Sequence, residues 1–281
     1  MDLTSPKIIK ELLSKYNARP SKGLGQNFLI DKNVLNKIIE ASDIKPSDVI
    51  LEVGPGIGTL TQELAKKAKK VIAIEKDKVM IEILKETLKD SKNIEIIQGD
   101  ILKNKLSLPK KYKIVANIPY YLTSPLIRKF LESENQPEEM VLMLQKEVAQ
   151  RICSKPPRMS LLAVSVQFYA DAKIVSYVSK NCFWPAPKID SAIIKIHPVK
   201  SPEGRILAKP KLFNGVNSQL FFKVVKAGFS QPRKQLAGNL SKMLKLSREK
   251  TNSWLLKNNI APTQRAETLS VEDWKNLANS L

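Results

Sequence analysis

The chain has 281 residues, 43% of them hydrophobic, which suffices for one large domain with a sizeable core and a smaller one. Its 47 Lys and Arg against 27 Asp and Glu leave a formal net charge of +20, an excess that attracts polyanions through steering and counterion release. One histidine, His197, and two cysteines, Cys153 and Cys182, exclude a disulfide framework, zinc-dependent hydrolysis and Ser-His-Asp chemistry.

No apolar run approaches the ~18 residues of a membrane span. Met1 to Arg19 lacks the apolar core of a secretory leader, and Asp2 and Glu11 interrupt any transit-peptide character. A cytoplasmic protein is therefore expected. The positive charge by itself suits either nucleic acid or an anionic membrane surface.

Residues 1–22 read as a basic helix and a Pro-containing approach. Asp31 is a candidate N-cap for an amphipathic helix to Ala41, with Val34, Leu35, Ile38 and Ile39 on one face. Short apolar strands then alternate with helices. Strands are predicted at Val49–Val53, Val71–Glu75, Ile94–Gln98, Ile114–Asn117 and Met140–Leu144. Helices are predicted at Thr59–Ala68, Val79–Leu88, Pro125–Leu131 and Glu147–Ile152. That alternation implies an α/β fold, a mostly parallel sheet covered on both faces. Lys173–Val178 and Ser191–Ile196 flank a Pro-rich loop and are expected to pair at the sheet edge. His197–Pro210, with Pro198, Pro202 and Pro210, reads as a linker, and from Gln219 onward the pattern is helical and basic. Two domains follow, residues 1–200 and an all-helical 201–281.

Five motifs carry chemistry. Glu52-Val53-Gly54-Pro55-Gly56-Ile57-Gly58-Thr59 is a glycine turn between a strand and a helix, where backbone can approach a ligand closely. Its G-x-G-x-G spacing differs from the G-x-G-x-x-G of dinucleotide binders, which disfavours a nicotinamide dehydrogenase. Glu75, at the end of the next strand, is placed to accept hydrogen bonds from ribose hydroxyls, the plainer reading being a surface acid balancing Lys76 and Lys78. Asp100 after the third strand suits an adenine amino group, with Ile101 against the ring; its plainer reading is a helix N-cap. Together the three outline an adenosine site. In Asn117-Ile118-Pro119-Tyr120, the Asn117 side-chain oxygen and the Pro119 carbonyl can accept both N–H bonds of an adenine amine, and Tyr120 can stack on the base. Phe183-Trp184-Pro185-Ala186-Pro187-Lys188-Ile189-Asp190-Ser191 is a stiff loop in which Phe183 can cover the base's other face and Trp184 anchors the loop.

On these residues the chain resembles the ribosomal RNA adenine N6,N6-dimethyltransferases, and within them the bacterial small-subunit enzymes, from about Lys22 to Leu277. The resemblance implies a Rossmann-like class I methyltransferase sheet and S-adenosylmethionine as methyl donor, with no metal. It adds Lys22-Gly23-Leu24-Gly25-Gln26-Asn27-Phe28-Leu29 as a cofactor motif. It assigns Asn27, Leu29, Gly54, Gly56, Glu75, Asp100, Ile101 and Asn117 to the cofactor, and Asn117, Pro119, Tyr120 and Phe183 to the target base. Phe229-Ser230-Gln231-Pro232-Arg233-Lys234-Gln235-Leu236 resembles the family's basic helix start and implies RNA contacts by Arg233 and Lys234. Pro232 stands where an arginine is usual, and Lys155–Ser160 is shorter than usual. Arg265-Ala266-Glu267-Thr268-Leu269-Ser270 fits the small-subunit enzymes better than the large-subunit methylases.

The implied reaction is methyl transfer to N6 of two adjacent adenines in a hairpin near the 3′ end of 16S rRNA. The implied partner is an immature small ribosomal subunit, bound by a monomer. Positioning would supply much of the catalysis, with no covalent intermediate and no dedicated base. A DNA adenine methylase, a large-subunit RNA methylase and an assembly factor without activity remain as alternatives.

Overall fold

The computed structural model describes residues 1–21, 23–199 and 215–281. Residues 200–210 of the expected linker lie outside these. The chain divides into two compact units. One comprises Met1–Phe130, Pro137–Ala149 and Lys173–Pro198; the other comprises Leu131–Gln136, Gln150–Ala172 and Val199–Leu281.

The first unit opens with helix α1 (Pro6–Lys15) and a two-residue strand β1 (Phe28–Leu29). Helix α2 (Lys32–Ala41) starts at Asp31, whose carboxylate accepts from the N–H groups of Asn33 and Val34 as an N-cap should. The alternation follows: β2 (Val49–Val53), α3 (Thr59–Ala65), β3 (Lys70–Glu75), α4 (Lys78–Thr87), β4 (Ile94–Gln98), β5 (Lys113–Asn117), α5 (Thr123–Leu131), β6 (Glu139–Gln145) and α6 (Lys146–Ile152). Helix α3 ends before the expected Ala68, and the N–H groups of Lys67 and Ala68 close its last turn on the Leu64 carbonyl.

Helix α7 (Leu161–Gln167), which the sequence reading missed, precedes β7 (Ala170–Val178), β8 (Phe183–Trp184) and β9 (Ser191–Pro198). The main sheet has the order β4-β3-β2-β5-β6-β9-β7. Its strands run parallel from β4 to β6, and β9 pairs antiparallel with β6. β9 and the edge strand β7 are neighbours, the expected edge pairing.

One core cluster of the unit joins Ile50, Val71, Val115 and Val141 of the sheet to Val34, Leu35, Ile38 and Ile39 of α2, the face expected from its spacing. Burial of such residues contributes about 1.5–3 kcal/mol each.

The second unit contains α8 (Ser218–Gly228), α9 (Leu236–Leu244), α10 (Arg248–Lys257) and α11 (Val271–Asn279). α7 joins it, and the rings of Phe168 and Phe221 stack with centroids 4.0 Å apart. Gly228 lets α8 lie against α11: a Cβ there would come within 2.3 Å of the buried Trp274 ring. Ser270 and Asp273 form a capping box at the start of α11, satisfying two N–H groups reciprocally.

Candidate active site

Parallel strands deliver the motif residues to one edge of the sheet. β2 runs into Gly54, β3 ends on Glu75, β4 leads to Asp100 and β5 ends on Asn117. β2 and β5 are neighbours, and the strand order reverses between them. Ligands of open α/β sheets bind outside the strand ends at such a switch point. A cleft of about 1020 Å³, partly open to solvent, lies there. Asn27, Leu29, Gly54, Gly56, Glu75, Asp100 and Ile101 line it, as do Asn117, Pro119, Tyr120 and Phe183.

The glycine turn is built for close approach. Gly54 has φ +70° and Gly25 has φ +64°, both in the left-handed region. A Cβ on either would sit 3.4 Å from the Pro119 ring, so the two glycines receive that proline from two motifs. Glu75 is 8% exposed, which rules out the surface-acid reading. Its carboxylate accepts from Gly56 N at 3.2 Å, Lys76 N at 2.7 Å and Asp77 N at 2.9 Å. Burial pushes the Glu75 carboxyl above its ordinary range, opposed by those three N–H groups. Lys76 pairs instead with Asp100, at 3.1 Å.

Asp100 performs two jobs. One oxygen accepts from Leu102 N at 2.9 Å and caps a turn, not a helix. The other faces Lys76 Nζ. The Leu102 N–H, ahead of the lysine, holds this carboxyl below its usual value. Lys129 Nζ donates to the carbonyls of Ile101 and Asn104, so the same turn is fixed from α5.

Asn117 Nδ2 donates to the Asn27 carbonyl at 3.5 Å. With the nitrogen so engaged, Oδ1 is the free acceptor of that amide. The Pro119 carbonyl already accepts from Leu122 N at 2.9 Å, closing a single helical turn, and keeps its second lone pair. Tyr120 shares a 2.9 Å hydrogen bond with the buried Ser191, which joins the Asn-Ile-Pro-Tyr loop to the end of the fifth motif. Phe183 lines the cleft yet is only 4% exposed, giving most of its surface to the core beside Leu29 and Val34. Trp184 packs with the cluster of Ile9, Leu12 and Phe28 and lies under Lys10, which fits the anchor reading.

The whole of residues 17–281 matches the family model described as ribosomal RNA adenine dimethylase. The chain belongs to that family. It is 45% identical over 272 residues to ribosomal RNA small subunit methyltransferase A of Dehalococcoides mccartyi, covering 95% of this chain and 90% of that protein. It is 41% identical to the protein of the same name from Clostridioides difficile, covering 99% of this chain and 96% of that one. Among solved structures, it is similar to a dimethyladenosine transferase from Plasmodium falciparum, with a TM-score of 0.73 and 29% identity over 89% of this chain and 95% of that one. The 23S rRNA methyltransferase ErmE gives 0.72 and 27% over 91% of this chain and 99% of that one. The Rossmann-like methyltransferase sheet of the family is therefore the fold of this chain.

Several residues of this dimethylase-family cleft escaped the sequence reading. β1 and β8 form a small antiparallel sheet, Phe28 opposite Trp184 and Leu29 opposite Phe183, so two motifs form one wall. Gln26 Nε2 donates to Asp77 at 2.8 Å. Glu52, in the glycine motif, is 1% exposed, and burial pushes its carboxyl up to about 8. Tyr121 lines the cleft with half its surface exposed. Arg233 and Lys234 lie in the second unit, in a turn before α9 rather than in a helix. Among the described residues, no group of three or more His, Cys, Asp or Glu could hold a metal ion, and no helix is long and apolar enough to cross a membrane.

Proposed function

We propose that this protein transfers methyl groups from S-adenosylmethionine to N6 of two adjacent adenines near the 3′ end of 16S rRNA, giving N6,N6-dimethyladenosine. The carrying observation is the Asn117–Pro119 acceptor pair within one cleft that also holds Glu75, Asp100 and the glycine turn. The donor set suits the cofactor. Glu75 keeps acceptor capacity toward a ribose, Asp100 lies one strand away, and Gly54 and Gly56 leave backbone uncovered. Asn27, Leu29 and Ile101 complete the wall. Bound there, S-adenosylmethionine supplies a methyl group already activated by its sulfonium.

The chain's own residues then handle the amine. An adenine N6 lone pair is delocalised into the ring. Accepting one N–H at Asn117 Oδ1 and the other at the Pro119 carbonyl draws that nitrogen toward tetrahedral geometry. Tyr120 holds the base by stacking while its hydroxyl is fixed by Ser191. Phe183 supplies an apolar wall that excludes water. The displaced proton leaves to water, so no general base is required.

The basic 201–281 segment, including Arg233 and Lys234, is assigned to phosphate contacts with an immature small subunit. The enzyme acts as a cytoplasmic monomer. A direct test compares methyl transfer to undermethylated small subunits, large subunits and duplex DNA. Transfer to small subunits alone is expected. Transfer confined to large subunits or DNA contradicts the proposal.

A further inference from the structure

Among the described residues, two aromatic rings are exposed, Tyr121 at 49% and Tyr177 at 52%. Tyr121 lines the cleft. Tyr177 stands outside it, one residue before the end of β7, the strand at the edge of the main sheet. Lys173, Val175 and Tyr177 alternate onto one exposed face of that strand. A lysine is the usual guard of an open edge, whereas a half-exposed aromatic is a liability there unless something covers it.

A row of contacts along one rim of the sheet joins this ring to the candidate active site. Lys146 Nζ lies 5.2 Å from the centroid of the Tyr177 ring. Lys146 follows the last residue of β6, and β6 lies beside β5, which ends on Asn117. Lys146 N donates to the Asp190 carbonyl at 3.0 Å. Next to Asp190, Ser191 shares its hydrogen bond with Tyr120. Lys180 N, two residues past β7, donates to Asp190 Oδ1 at 3.1 Å, so the end of β7 is held to the same rim. These contacts do not consume the Lys146 cation. Its Nζ stands 4.0 Å from Asp190 Oδ2, the limit of an ion pair, with both side chains nearly half exposed. A cation beside an exposed ring is a pairing that receives a nucleotide, the phosphate on the cation and the base on the ring.

We propose that Tyr177 and Lys146 form a stacking platform for the nucleotide next to the methylated adenine, Tyr177 taking its base and Lys146 its phosphate. An adenine turned into the cleft leaves its neighbour without a stacking partner. An aromatic ring on the same rim replaces that partner. It favours an unpaired strand over a duplex and accepts any base, because every base has a π face. The choice of RNA rests on the rRNA-methyltransferase reading; the exposed ring beside its cation belongs to the first unit by itself.

The test measures binding and methyl transfer by the full-length protein on undermethylated small ribosomal subunits, for Tyr177→Ala, Tyr177→Phe, Tyr177→Leu and Lys146→Gln. Tyr177→Ala should raise Kd and KM about fivefold or more, with kcat within about twofold, because neither residue lines the cleft. Tyr177→Phe should keep wild-type binding and Tyr177→Leu should not, since leucine fills the space without a π face. Lys146→Gln should lower the salt slope by about 0.7, the single-strand value for one phosphate, and Tyr177→Ala should leave the slope unchanged. Affinity for S-adenosylhomocysteine should match the wild type in every variant, which separates loss of the platform from loss of the fold. A further arm uses small subunits rebuilt with RNA that is abasic at the nucleotide before or after the target. On one of the two, wild type and Tyr177→Ala should bind alike. Wild-type affinity in Tyr177→Ala, or equal binding by the Leu and Phe variants, overturns the platform. If the wild type methylates large-subunit particles instead, the substrate reading fails; on those particles a difference between the Ala and Phe variants keeps the platform and its absence overturns it.

Discussion

Asn117 and Asn27 meet across the cleft, the side-chain Nδ2 of one donating to the backbone carbonyl of the other at 3.5 Å. The contact spans a sequence separation of 90 and, with Nδ2 engaged, leaves Oδ1 as the acceptor that the proposed function assigns to the adenine amine. The Gly-Leu-Gly-Gln-Asn segment is thus tied to the Asn-Ile-Pro-Tyr loop. Asn117→Asp keeps one oxygen but loses the donor to Asn27. We expect kcat to fall about 10²-fold or more, near the effect of removing an oxyanion donor, with S-adenosylhomocysteine still bound. Stopped-assay kinetics with calorimetric titration of S-adenosylhomocysteine check this; retained kcat would show that the amide orientation is unimportant.

Gly54 should tolerate no side chain. Its φ of +70° costs a non-glycine residue about 1–2 kcal/mol, and the new Cβ would stand in contact with the Pro119 ring at 3.4 Å, covering backbone that faces the cleft. Gly54→Ala is expected to lower the melting temperature by several degrees and to weaken S-adenosylhomocysteine binding about tenfold or more. Wild-type affinity in a folded Gly54→Ala protein would contradict the close-approach reading.

Tyr120 separates stacking from anchoring. Tyr120→Phe and Ser191→Ala each remove the same hydrogen bond, worth about 1 kcal/mol, so each should cost roughly fivefold in kcat/KM. Their double variant should cost little more than either alone. Tyr120→Ala also removes the stacking surface, a further ~1–3 kcal/mol. Additive losses in the double variant would show that the tie does not matter.

Glu52 makes stability pH-dependent. Burial lifts its folded-state value to about 8 from an ordinary 4.5. Between those values the folded protein holds a proton that the unfolded chain releases. Its contribution is therefore full below about pH 4.5 and is lost as pH rises through about 8. Glu52→Gln should flatten that decline, whose slope is at most about 1.4 kcal/mol per pH unit. Denaturant melts at pH 5, 7 and 9 decide it; parallel curves for both proteins would show that Glu52 does not set the pH dependence.

Gly228 tests the helical unit by itself. The Trp274 ring lies 2.3 Å from where a Cβ on Gly228 would stand, so Gly228→Ala should destabilise that unit by about 1–3 kcal/mol or more through overpacking. Hydrogen exchange in α8 and α11 reads the effect, and unaltered protection there would count against the packing described.

Much of the first unit was legible because parallel strands are short apolar runs and the motif residues that line the cleft stand at their ends. Val49–Val53 into Gly54 and Lys113–Asn117 into Pro119 display both signals in adjacent positions. The pairing of Phe28–Leu29 with Phe183–Trp184 was not legible, because strands of two residues have no periodicity. Helix α7 was missed beside the prolines at 156 and 157, although Ser160 caps it. Asp100 was read as either a ligand or a cap, and its two oxygens face two different partners.

Whether Asn117 presents an adenine amine to the methyl donor is decided by methyl transfer from labelled S-adenosylmethionine to undermethylated small subunits, followed by digestion of the RNA and identification of its nucleosides. The wild type should yield N6,N6-dimethyladenosine and Asn117→Ala none, with both proteins binding the particle equally. Dimethylation that survives Asn117→Ala, or a wild type that binds the particle and transfers nothing, would contradict that role.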